Sequence, residues 1–222
     1  LIHLSASGNN DKSVDAITIP TAGNATDFGD APQGGRMASG LGSATRSFFA
    51  GGRTPSLLNR IDYIDSSATG NFSDFGDLTA AKRLAGACGN RIQGHLGGGN
   101  PSSNIIEKIT YATIGNAVDF GDLVGATESF GSTQANSSTR GIFAGGWNGS
   151  TQLADIEYMT IQSTGVAAQD FGDLTEGVRY SAGASSPTRG IFAGGRDSDS
   201  SPNNHNIISY VTIATLGNAQ DF

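Results

Sequence analysis

A single cysteine, Cys88, stands in 222 residues, so no intramolecular disulfide framework can form and stability must come from packing. Charge is scarce as well: Asp, Glu, Lys and Arg make up 15% of the chain, against about 25% in ordinary domains, and the net charge is −7. An acidic surface whose only lysines are Lys12, Lys82 and Lys108 repels phosphate backbones, which disfavours general nucleic-acid binding. No apolar run is long enough to span a bilayer, so no membrane insertion is expected. No basic segment leads into an apolar stretch after Leu1, so no signal peptide is visible. The three histidines, His3, His95 and His205, share no metal-ligand spacing, and Cys88 falls in a run of small residues that suits a packed thiol better than a nucleophile. Metal, cofactor and enzymatic activity are therefore not expected.

What the chain has in excess is glycine, 33 residues, roughly twice the usual share and without a collagen period. That points to many turns and closely approached backbones in an all-β chain. Self-comparison shows why. Asp-Phe recurs at Asp27-Phe28, Asp74-Phe75, Asp119-Phe120, Asp170-Phe171 and Asp221-Phe222, with periods of 47, 45, 51 and 51 residues, and the first four copies continue as Gly-Asp. Gly-Gly recurs at Gly51-Gly52, Gly98-Gly99, Gly145-Gly146 and Gly194-Gly195. Between these landmarks runs an Ile/Tyr/Thr-rich stretch, clearest at Ile156 to Ile161 and Ile207 to Ile213.

Apolar runs this short, rich in Ile, Phe, Tyr and Thr and bounded by turn residues, read as four strands per copy. In the last copy they are Tyr180 to Ser185, Gly190 to Ala193, Ile207 to Ile213 and the region from Gly217 to Phe222. The first strand of each copy is small throughout: Ala38-Ser39-Gly40, Ala85-Gly86-Ala87, Gly131-Ser132-Thr133 and Ala182-Gly183-Ala184. Four strands per copy match the blade of a β-propeller, whose sheets bury both faces only against their neighbours and whose innermost strands crowd one axis. Residues 1–222 are thus expected to form one domain, a five-bladed propeller with units near 1–30, 31–77, 78–122, 123–173 and 174–222. The first blade lacks its inner strand, and the Asp-Phe-Gly-Asp pattern predicts further residues after Phe222 that would supply it.

The order Gly145-Gly146, Tyr158, Phe171, Arg179, repeated as Gly51-Gly52, Tyr63, Phe75, Arg83, resembles the kelch repeat, with Phe where kelch repeats usually carry Trp. The wording Gly-Asn-Ala-x-Asp-Phe-Gly-Asp-Leu followed by Thr-Arg-Gly-Ile-Phe-Ala-Gly-Gly is similar to repeats of virion and tail proteins of tailed, notably marine, phages. The resemblance implies a non-enzymatic structural or adhesion module of a virion, assembled in the host cytoplasm and working on an extracellular particle. Its implied partners are other virion or tail proteins or a host-surface glycan, with self-association into a homo-oligomer left open. A glycan-binding lectin and an intracellular kelch-type protein-interaction scaffold are the alternatives.

Length varies most between Gly-Gly and the Tyr position of the third strand (Tyr63, Lys108, Tyr158, Tyr210), at 11, 9, 12 and 15 residues. In a kelch-like strand order these loops share a face with the turns between blades, and they hold the candidate binding residues Arg53, Asn100, Trp147, Asn148, Arg196, Asp197, Asp199 and His205. Trp147 offers an indole to a sugar or a partner, or else covers a neighbouring blade. The stretch Asp197 to Ser201 has the alternating acidic spacing of a calcium loop but lacks its glycine and its closing glutamate, and it reads as solvated loop. Two arginine series keep fixed register: Arg36, Arg83 and Arg179, with Glu128 in the remaining copy, and Arg46, Arg140 and Arg189, with Gln93 in the remaining copy. Pairing with the motif aspartates across blades is expected of them, since guanidinium forks suit carboxylates. In Asp-Phe-Gly itself, Phe is expected at the blade interface, Gly at an unusual backbone angle, and Asp on local amides.

Overall fold

Short strands joined by glycine-rich turns build five antiparallel sheets, each a simple meander in chain order. The computed structural model describes residues 2–4 (backbone only), 12–131, 134–163, 165, 167–197 and 204–222. The first sheet has three strands, β1 (Ile2–Leu4), β2 (Ser13–Ala16) and β3 (Thr26–Asp30). The second holds β4 (Ser39–Gly42), β5 (Arg46–Ala50), β6 (Arg60–Asp65) and β7 (Ser73–Asp77). The third holds β8 (Gly86–Gly89), β9 (Gln93–Gly97), β10 (Ser103–Thr110) and β11 (Val118–Thr127). The fourth holds β12 (Ala135–Asn136), β13 (Arg140–Ala144), β14 (Asp155–Thr160) and β15 (Gln169–Asp173). The fifth holds β16 (Ala182–Ser185), β17 (Arg189–Ala193), β18 (Ile208–Thr212) and β19 (Gln220–Asp221). Among the described residues there is no helix, so none long and apolar enough to cross a membrane.

Successive strand residues point to opposite faces, so a sheet buried on both sides needs adjacent apolar residues rather than alternation. The second strand of each sheet shows this. Phe48 packs forward against Tyr111 of the third sheet, while Phe49 packs back with Phe72 near the first. In β13, Ile142 joins the cluster shared with the fifth sheet and Phe143 the cluster shared with the third. Among the described residues there are accordingly four apolar clusters, one between each pair of consecutive sheets. The inner strands β4, β8, β12 and β16 and their following turns line one shared open cavity of about 1380 Å³.

The Asp-Phe-Gly-Asp motif is a β-bulge that makes the joint between sheets. In the second sheet Asp62 faces Asp74 and Ile61 faces Gly76, which leaves Phe75 as the extra residue; Phe28, Phe120 and Phe171 are bulged in the same way. A bulged residue has no ladder partner for its carbonyl. The next repeat uses it: the Phe28, Phe75, Phe120 and Phe171 carbonyls accept from Gly70, Gly115, Gly165 and Gly217 at 2.9, 2.9, 3.1 and 2.8 Å. Two residues beyond each Phe, the Asp carbonyl accepts from Phe72, Ala117, Ala168 and Ala219 at 2.7 to 2.9 Å. In three of the four joints the Asn of Gly-Asn (Asn71, Asn116, Asn218) accepts from that Asp's amide at 3.0 to 3.1 Å. The stretch from Gly217 to Ala219, expected as part of the fifth sheet's last strand, therefore belongs to this seam, and β19 is only Gln220–Asp221.

One further expectation lies partly outside the described residues and another needs correction. In the fourth sheet the described part of the first strand is Ala135–Asn136, while Ser132 and Thr133 of the expected Gly131-Ser132-Thr133 lie outside the described residues. A buried Gln134 anchors it, its side chain accepting from the Ala144 amide at 2.9 Å and donating to the Gly131 carbonyl at 3.3 Å. The second arginine series crosses between sheets, but to carbonyls instead of aspartates: Arg46 donates to Tyr111 O at 2.6 Å and Arg140 to Ile213 O at 2.8 Å, while Gln93 reaches Ile161 O. Each guanidinium lies over a tyrosine of its own sheet, Tyr63, Tyr158 or Tyr210, at 5.0, 4.7 and 4.6 Å, and that stacking aims it away from the motif aspartates. Arg189 makes the stack but meets no carbonyl acceptor among the described residues. Arg140→Ala should therefore cost about 2 kcal/mol, by stranding a carbonyl at a buried residue, and Arg189→Ala well under half of that; urea unfolding of the two variants side by side reads the difference.

Candidate functional site

The residue after each Gly-Gly does not hang free in a loop. It pairs backbone to backbone with the first arginine series, as Arg36 with Arg53, Arg83 with Asn100, Glu128 with Trp147, and Arg179 with Arg196. Each pair exchanges two N–H···O=C bonds of 2.7 to 3.3 Å. The geometry follows from the glycines: the first has φ between 66° and 71° and the second between 98° and 113°, which only glycine adopts without strain. In three copies the second glycine also donates to the residue just before the next bridged position, at Lys82, Thr127 and Val178 (2.8, 2.9 and 2.8 Å). Two residue sets that the sequence suggested separately thus form one rim of four bridged pairs, where the turns between sheets meet the variable loops.

Side chains extend the rim. Arg83 Nε donates to Asn100 Oδ1 at 3.2 Å, and Asn100 in turn donates to Glu128, which links the third and fourth sheets. The Arg179 guanidinium, buried, lies 4.9 Å over the Trp147 ring and 5.5 Å over Tyr180, and Arg196 lies 4.9 Å over the same tyrosine. Trp147 is therefore half-covered by a neighbouring sheet's arginine. Arg53 Nε is tied to Pro55 O at 2.8 Å. Asn148 is a turn-former, its Oδ1 accepting from the Ser150 and Thr151 amides at 2.9 Å each. His205 sits between two half-exposed carboxylates, Nδ1 2.9 Å from Glu176 and Nε2 3.4 Å from Asp197. Asp199 lies outside the described residues. Among the described residues no three His, Cys, Asp or Glu side chains are grouped to hold a metal ion.

Sequence reasoning missed Glu176 and also a repeated backbone feature. Met37, Leu84, Ser129 and Tyr180, each directly after a bridged residue, have φ of 63°, 58°, 61° and 61°. Non-glycine residues in that region cost of order 1 kcal/mol each. The recompense is contact between sheets: Leu84 N donates to Met37 O at 3.1 Å and Tyr180 N to Ser129 O at 2.9 Å. The four residue types share no side-chain chemistry, so no sequence signal marks the position.

The motif residues lie away from this rim. Phe75, Phe120 and Phe171 are buried, Phe28 is half-buried and Phe222 is exposed. Asp27, Asp74, Asp119 and Asp170 sit exposed beside the bulge, with Asp170 accepting from the Gly172 amide at 3.1 Å. One buried ion pair braces the entry to the third sheet: Lys82 Nζ to Glu107 at 2.7 Å, with Thr79 donating to the same carboxylate through its amide and hydroxyl at 2.5 Å each. Burial pushes the Cys88 thiol well above its ordinary range and away from thiolate reactivity. No protein-family model matches the chain, and no curated protein matches it.

Proposed function

We propose that the five sheets are the blades of a kelch-like β-propeller set about the shared cavity, the first blade without its inner strand. In this reading the molecule is a non-enzymatic structural or adhesion module of a tailed-phage virion that meets other virion or tail proteins, or the host surface, through its rim. The observation that carries the reading is a division of roles inside every repeat. The seam keeps the same backbone partners through four copies, whereas the bridged rim positions hold their hydrogen bonds constant and change what they display, from Arg36 and Arg53 to Glu128 and Trp147. A fixed scaffold with a varied edge suits recognition. With only 15% charged residues overall, a rim carrying Arg36, Arg53, Arg83, Arg179 and Arg196 also gathers half of the ten arginines of an acidic molecule.

Mass spectrometry and immunogold labelling of gradient-purified particles test the assignment. The chain is expected in the particles at a fixed ratio to tail proteins, and Arg53→Ala with Arg196→Ala should weaken its attachment or host adsorption by about tenfold. Absence from particles, with the chain free in the lysate, contradicts it. Binding on a glycan array that Trp147→Ala abolishes assigns the rim to a sugar instead of a protein.

A further inference from the structure

One turn on the rim carries a reactive arrangement in its own backbone. Asn148 is followed by Gly149, the one Asn-Gly pair in the chain, and both residues are exposed. The Asn148 Oδ1 accepts from the Ser150 and Thr151 amides at 2.9 Å each, so two N–H donors already converge on the side-chain carbonyl oxygen. Gly149 has φ of 93°, an added Cβ there would meet nothing within 4 Å, and its amide meets no acceptor among the described residues. Other asparagines lack part of this set. Asn71, Asn116 and Asn218 precede Phe72, Ala117 and Ala219, whose amides are engaged by the Asp30, Asp77 and Asp173 carbonyls at 2.9, 2.8 and 2.7 Å. Asn90 is the nearest match. Its Oδ1 accepts from the Ile92 and Gln93 amides at 2.9 and 3.1 Å, but the residue after it is Arg91, whose side chain flanks the intervening nitrogen.

We propose that Asn148 is a self-modifying site, at which the Gly149 amide displaces the side-chain amide and leaves an aspartyl residue on the rim. Gly149 N gives its proton to solvent and bonds to Asn148 Cγ, and negative charge gathers on Oδ1, between two donors already in place. The Cγ–Nδ2 bond then breaks, and the nitrogen takes a proton from solvent and leaves as ammonia, which closes a succinimide. Water opens that ring at either carbonyl, to aspartate or to isoaspartate, whose main chain runs through Cβ. Nothing is oxidised or reduced. Glycine suits the attacking position because a side chain on that residue would shield its nitrogen. The product adds a negative charge beside Trp147, over whose ring the Arg179 guanidinium lies at 4.9 Å. Aspartate keeps an acceptor for the Ser150 and Thr151 amides, whereas isoaspartate lengthens the main chain by a methylene and breaks the turn. The inference uses this turn alone and is independent of what the rim binds.

Peptide mass mapping of the full chain, kept folded for weeks in mildly alkaline buffer, tests it, with enzymatic methylation of isoaspartate as a second readout. Most of Asn148 is expected to become aspartyl, while Asn71, Asn90, Asn116 and Asn218 keep their amides. Asn148→Gln, at an exposed position, should leave that loop unmodified. Arg91→Gly, also at an exposed position, gives Asn90 the same turn followed by a bare glycine and should make Asn90 convert as well. An Asn148 that keeps its amide in the folded chain, whether or not it converts in urea, overturns the inference, because the turn then protects the residue. So does conversion spread evenly over the other asparagines, or an Arg91→Gly chain in which Asn90 stays inert.

Discussion

Gly76→Ala should lower unfolding stability by about 4 kcal/mol, a large part of the roughly 5 to 15 kcal/mol that a folded domain holds in reserve. Gly76 follows the bulged Phe75 with φ of 150°, and a Cβ there would lie 2.4 Å from the Gly115 carbonyl oxygen and 2.9 Å from the Asn116 amide. Those atoms are backbone, held by the Gly115 N to Phe75 O and Ala117 N to Asp77 O bonds, so the side chain cannot be accommodated by a rotamer change. The methyl group either stays strained or pushes the second and third sheets apart, and both hydrogen bonds are lost together with contacts of Phe75, itself 1% exposed. Gly70→Ala is the control. It is the counterpart of Gly115 in the preceding seam, donating to the Phe28 carbonyl, yet an added Cβ there meets nothing within 4 Å, and a change below about 0.5 kcal/mol is expected. Urea denaturation followed by circular dichroism measures both. Equal midpoints for the two variants would show that the bulge does not hold the sheets together.

Replacing His95 with isoleucine should raise stability at neutral pH and flatten its decline in acid. His95 is completely buried, packed edge-on against Phe120 at 4.5 Å, with neither ring nitrogen hydrogen-bonded among the described residues. Its counterparts are Phe48, Ile142 and Ile191, so the position is built for an apolar side chain. Burial, with a smaller contribution from the Lys108 charge, drives the imidazole pKa down to about 4 from an ordinary 6.5. The unfolded chain therefore takes up a proton below about pH 6.5 that the folded chain refuses until about pH 4. Stability supplied by the neutral ring is whole above that window and is lost as pH falls through it, by about 3 kcal/mol in total. The difference between wild type and His95→Ile should thus widen from pH 7 to pH 4, with the variant roughly 1 to 2 kcal/mol ahead even at pH 7 because two unsatisfied nitrogens are gone. A constant difference across that range would mean that His95 titrates normally in the folded state.

Much of the fold was legible because the repeat writes it out. Five Asp-Phe strings mark five sheets, and paired glycines with Ile-Phe or Phe-Phe before them mark a strand buried on both faces. The seam was harder to read. A carbonyl acceptor leaves no trace in sequence, since every residue carries one, and the arginines were therefore assigned to aspartates that stand visibly at fixed spacing. The same blindness put Gly217 to Ala219 in the wrong sheet. At the rim, loop residues and repeat arginines were both recognised, but nothing in Arg36 or Arg53 says that they pair through their backbones, and the left-handed residues Met37, Leu84, Ser129 and Tyr180 follow position instead of side-chain type.

Sheets set about one cavity, as opposed to a straight stack, can be told apart by distances between the turns that follow the inner strands. Pulsed electron double resonance between nitroxides at Ser43, Arg91, Ser138 and Pro187, all of which line that cavity, measures them directly, and Cys88 is buried enough to stay unlabelled. Packing about the cavity predicts that the Ser43 to Pro187 distance does not exceed the Ser43 to Ser138 distance by a further sheet spacing of about 10 Å. A distance that grows by that amount with each sheet, to roughly 30 Å across three seams, contradicts it.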